Sequence, residues 1–196
     1  MTDRKLEAIL QDLQAFITRE VAAAFSAQDQ LVDYALEMYC DQEEPAVLRP
    51  YAERLARELI TSHLQQQRTW PEVTDCDRLD QAFAELENRG ILCRQNFSCC
   101  GTCGATEIWG EIEAARAEGR EILGYAFHHH QETENAVEGG GLFLGYGAVL
   151  KSEKTALDIA RQIVEVIERH GLSTDWDGTW DQRIGVRLDW KRRRSV

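Results

Sequence analysis

Apolar residues recur along the first third of the chain at spacings of three and four. Leu6, Ile9, Leu10, Leu13, Phe16, Ile17 and Val21 form one stripe, the signature of an amphipathic helix. Ser26 with Asp29 fits a capping box opening a second helix through Leu31, Tyr34, Ala35 and Met38, and residues 41–50, with two prolines, read as a break. A third helix is expected over residues 51–67, with Leu55, Leu59 and His63 in line. Pro71 forbids its continuation, and residues 74–77 supply capping chemistry for the next.

Beyond Trp70 the rhythm changes. Leu79, Ala82, Phe83 and Leu86 predict a helix closed by Gly90; Ile91, Cys93, Gln95 and Phe97 then alternate with polar or outward positions, as a short strand does. The spacing continues as a helix over 105–118, a strand over 122–129, a strand over 142–149 after Gly139, Gly140 and Gly141, a helix over 153–170 and a strand over 183–190. From residue 91 the order is β-α-β-β-α-β. That order predicts an α+β fold, a ferredoxin-like βαββαβ two-layer sandwich over residues 70–196, preceded by a helical N-terminal segment over residues 1–69. In such a sheet the third strand lies between the first two, both helices cover one face, and the first two strands end at the same edge, about 10 Å apart at ~4.8 Å per strand.

The edge so formed gathers the one chemically distinctive segment, Cys99-Cys100-Gly101-Thr102-Cys103-Gly104, with His128, His129 and His130, Glu132 and Glu134, and the loop around Trp176. Cys100 and Cys103 have the spacing of half a zinc site, in which two thiolates bind from one tight turn. The sequence contains no second CxxC, so the remaining ligands must come from Cys99, Cys93 and the histidines. The expected set is Cys99, Cys100, Cys103 and His129, with zinc as the ion and Cys93 or a water completing the shell if one drops out. The same cysteines follow a strand and open a helix, where unpaired amides favour thiolate, so a thiol-dependent redox protein or enzyme using Cys100 and Cys103 is the alternative. All three prolines precede this region, so the cis-proline that faces a thioredoxin-type dithiol has no counterpart. The third reading is packing alone, which suits Cys40, Cys76 and Cys93 best.

Composition narrows the function classes. A net charge of −12 repels a phosphate backbone, so nucleic-acid binding is not expected; the basic block at residues 191–194 reads as a solvated tail or as a clamp for an anionic partner. No apolar run reaches the roughly 18 residues of a membrane span, and the first residues lead into an amphipathic helix instead of a secretory core. A cytoplasmic location is expected, where clustered cysteines mean metal or thiol chemistry more often than disulfides. Residues 175–178 read as a turn, since the ligand ladder and terminal glutamate of a calcium loop are missing.

The runs at residues 70–79 and 94–104, followed by His129, Gln131, Thr133 and Glu134, then Tyr146-Gly147-Ala148, Trp176-Asp177-Gly178 and the closing Arg183-Ile184 with Leu188-Asp189-Trp190, resemble a family of uncharacterised bacterial proteins, a domain of unknown function. The resemblance implies a bacterial source and no transferable activity. Its pattern has one histidine, matching His129, and an aspartate where this chain has Glu132. The residues name no reaction. A non-enzymatic binding or regulatory protein is the leading expectation, by analogy with small ferredoxin-like regulators, with a protein partner or a homodimer through the N-terminal helices as its assembly.

Overall fold

The computed structural model describes residues 3–195, which form two compact units: residues 3–72 with 191–195, and residues 73–190. In the first, helices α1 (Asp3–Ala23), α2 (Gln28–Tyr39) and α3 (Pro45–Gln66) enclose a core of Ile9, Leu13, Ile17, Leu31, Ala35 and Leu48. Ala52 and Ala56, both fully buried, are the small residues of α3 in that core. The helix starts earlier than its sequence suggests. Pro45 occupies its first turn, where a missing N–H costs nothing, and Pro50 is carried inside it.

The basic block is not a solvated tail. Arg194 is 9% exposed and donates from Nη1 to the Val21 carbonyl at 3.0 Å and from Nη2 to the Ser26 carbonyl. Gln67 brackets its backbone, accepting from the Arg194 N–H at 3.0 Å and donating to its carbonyl at 3.2 Å. His63 donates to the Arg192 carbonyl at 3.0 Å, and the Arg192 guanidinium lies over the Phe25 ring. Backbone carbonyls take up the Arg194 guanidinium, and the Phe25 ring that of Arg192.

The second unit is α+β. Helix α4 (Asp75–Asn88) opens on a capping box in which the Thr74 hydroxyl accepts the Asp77 amide and Asp77 Oδ2 accepts the Thr74 amide at 2.8 Å. There follow β1 (Ile91–Arg94), α5 (Gly101–Ala117), β2 (Gly124–Phe127), α6 (His130–Val137), β3 (Leu142–Ala148), α7 (Glu153–Arg169), β4 (Ser173–Asp175) and β5 (Ile184–Arg187). The five strands form one mixed sheet in the order β1-β2-β3-β5-β4.

This order corrects the ferredoxin-like expectation. The first two strands are direct neighbours, parallel from the pair Ile91 and Gly124 to the pair Arg94 and Phe127, with no strand between them. β3 lies on the far side of β2, and β5 is antiparallel to β3, so it runs parallel to β1 and not against it. The helices also divide between the faces. Alternation sends Leu92, Tyr125 and Phe127 to Ile108 and Ile112 of α5, while Ile91, Cys93, Ala126, Leu144 and Val186 pack with α4 and α7. The analogy with ferredoxin-like regulators falls with the topology.

β3 serves two partners with its two halves. Residues Gly145–Ala148 pair with β2, and Leu142–Leu144 pair with β5. β5 therefore gives no strand partner to Gly145 and Tyr146, and a recess opens there. The Trp176 loop is a turn: Asp177 Oδ1 accepts the Thr179 amide at 2.9 Å and its hydroxyl at 2.7 Å. Among the described residues, no helix is long and apolar enough to cross a membrane.

Candidate metal centre

Direct pairing of β1 with β2 fastens the cysteine loop to the histidine segment. The ladder runs past both strands: the His128 amide donates to the Arg94 carbonyl, the Phe97 amide to the His128 carbonyl at 2.9 Å, and the His130 amide to the Ser98 carbonyl at 3.1 Å. Between these bonds Asn96 and Ser98 take the left-handed conformation, with φ of 51° and 63°. For residues other than glycine this is uncommon and costs of order 1 kcal/mol each, so the ladder holds the loop in a shape it would not choose. That shape turns the chain back into α5.

Cys100 is the N-cap of α5, and its carbonyl accepts the Gly104 amide at 2.9 Å as the first helical bond. Gly104 is required by close approach: a Cβ there would stand 2.5 Å from Phe127 Cε2. Its absence lets the first turn of α5 settle on the sheet. The result brings the three sulfurs of Cys99, Cys100 and Cys103 within 4.8 Å of one another. Cys99 is exposed and the other two are half-buried.

The three thiols are not equivalent. The amide of Cys103, then the thiols of Cys103 and Cys99, lower the pKa of Cys100, as expected at a helix start. Cys103 is pushed up to about 11, first by the hydrogen bond with Cys99 and then by Cys100. Cys103 thus keeps its proton more tightly than Cys100, which gives up its own more readily than a free thiol.

His129, the N-cap of α6, stands beside this group without joining it. It is 6% exposed, its Nε2 is 3.6 Å from Glu132 Oε1 and 3.4 Å from where a Cβ on Gly101 would lie, and its Nδ1 has no hydrogen-bond partner. Burial lowers its pKa, so the ring is neutral and keeps a lone pair. Glu132 is engaged more closely by Arg183, at 2.5 Å. Cys93 belongs to the core on the opposite sheet face, where burial raises its thiol well above the usual range. In the sequence Arg183 enters only through the family resemblance and Glu132 as a residue of the gathered edge; nothing there pairs the two, and the fold does.

The family described as Domain of unknown function (DUF6891) matches residues 6–194. No curated protein and no solved structure matches the chain.

Proposed function

Because the chain belongs to this family of unknown function, we propose its role from the site alone: it is a metal-binding protein whose Cys99, Cys100 and Cys103 hold a zinc ion as thiolates, with His129 as fourth ligand. The convergence of three sulfurs within 4.8 Å carries this reading. Tetrahedral zinc with Zn–S of about 2.3 Å sets sulfurs about 3.8 Å apart, so the cluster closes on an ion with shifts of about 1 Å. Three soft thiolates and a neutral imidazole are the donor set zinc takes in structural sites. His129 must turn its nitrogen from Glu132, and the closer hold of Arg183 on that carboxylate eases the exchange. The ion would fix the start of α5 against the end of β2, which suits a binding or regulatory protein.

The test is metal analysis of untagged protein purified without chelator. About one equivalent of zinc is expected, absent from Cys103→Ser and more weakly held by His129→Gln. Metal-free protein whose melting temperature is unchanged by added zinc would overturn the reading. The inequality of Cys100 and Cys103 favours a second one, a nucleophilic thiol at Cys100. In metal-free protein, iodoacetamide would then label Cys100 first and at lower pH than a free thiol; equal labelling of the three cysteines would end it.

A further inference from the structure

Beside the cysteine turn, on the other side of Gly101, lies a recess of about 230 Å³. It adjoins the proposed metal centre and shares His129 with it, while none of the three cysteines lines it. Gly101 and Ala105, one turn apart on α5, form one wall, the rings of Tyr125 and Phe127 another, and Gly145 and Arg183 close the side that β5 leaves open. Ala105 has no bulk to fill the space, and Gly145 has no side chain at all.

We propose that this recess binds a small aromatic carboxylate. Its size fits: an apolar cavity of roughly 150 Å³ takes benzene, so this one has room for a ring carrying a short acidic group. Its walls fit as well. The Tyr125 and Phe127 rings lie nearly parallel, 25° apart with centroids at 6.2 Å, and present a flat apolar surface against which a third ring packs offset or edge-on. The charge is the deciding feature. On a chain of net charge −12 the lining holds an arginine and no carboxylate, and a guanidinium pairs bidentately with carboxylate. Arg183 is already steered by Glu132, which takes Nη1, and by the Phe143 ring beneath its Cζ at 5.2 Å. Glu132 is therefore the internal competitor of the ligand. A pocket of a few polar groups in mostly apolar walls is the usual form of a small-molecule site.

The probes are benzoate and its neutral isostere benzyl alcohol, titrated into the protein as isolated, with calorimetry for affinity and the Gly101 and Gly145 amide resonances for location. Benzoate is expected to bind and to move both resonances, and benzyl alcohol to bind at least tenfold more weakly. Arg183→Gln should cost benzoate tenfold or more, Ala105→Leu should block both probes, and Glu132→Gln should tighten benzoate several-fold by freeing the guanidinium. Ala105 is exposed on a helix and the Arg183 side chain is 51% exposed, so these two variants keep the fold, which their melting temperatures check. Failure of benzoate to bind at millimolar concentration, equal affinity for the two probes, or binding untouched by Arg183→Gln and Ala105→Leu would each overturn the proposal. Zinc content is read separately, so failure here leaves the metal reading standing.

Discussion

Two histidines in different units are held neutral by desolvation, His63 against the Arg192 carbonyl and His129 beside Glu132. Both have folded pKa values below the ordinary 6.5, so between the two values the unfolded chain binds more protons than the folded one. Stability is therefore full above about pH 7 and falls as the pH drops through the usual histidine range. The urea midpoint should decline between about pH 7 and pH 5, and His63→Gln should flatten part of that slope; an unchanged slope would show that His63 does not titrate with unfolding. The residue scale is also where the sequence told most about chemistry. CxxC spacing is local, and it led directly to sulfurs that do converge. Arg183 entered only through the family resemblance and gave no chemical signal of its own, because what makes it notable is the company of Tyr125, Phe127 and Gly145, all distant along the chain.

Among the elements, those with strong periodicity were legible and those shaped by the tertiary context were not. The long apolar stripes of α1, α4 and α7 announced helices, whereas α6 buries only Glu132, Thr133 and Ala136 and shows no stripe. β4 has three polar residues and owes its existence to pairing with β5. The parallel pairing of β1 and β2 is a choice among partners that alternation cannot make, since a strand with two buried faces pairs equally well on either side. Two substitutions test the devices that did form. Thr74→Ala removes both the hydroxyl that caps α4 and its bond to Asp77, and should cost about 1–2 kcal/mol by chemical denaturation, given that Thr74 is 3% exposed. Gly104→Ala drives a methyl into Phe127 and should cost about 1–3 kcal/mol, shifting the start of α5 and weakening zinc retention in the same protein. If Gly104→Ala leaves the protein as stable as the parent, the Phe127 ring yields freely.

At the scale of the whole molecule, the helical unit is built from both ends of the described chain, with residues 73–190 running between them. The Arg194 guanidinium satisfies the Val21 carbonyl in the last turn of α1, one of the groups that a helix end leaves unpaired, with Glu20 as a favourable charge nearby. Arg194→Met should therefore lower the stability of this unit by about 2–4 kcal/mol, and removal of residues 191–196 by more, seen as an earlier first transition in a thermal scan. A single unshifted transition in both variants would show the clasp to be ornamental. The clasp also imposes a schedule. Translation proceeds at roughly 5–20 residues per second, so helices α1 to α3 are synthesised on the order of ten seconds before the segment that closes them, and must wait through the making of the entire α+β unit. During that interval the Val21 and Ser26 carbonyls depend on water, and the nascent helices stand incomplete on the ribosome.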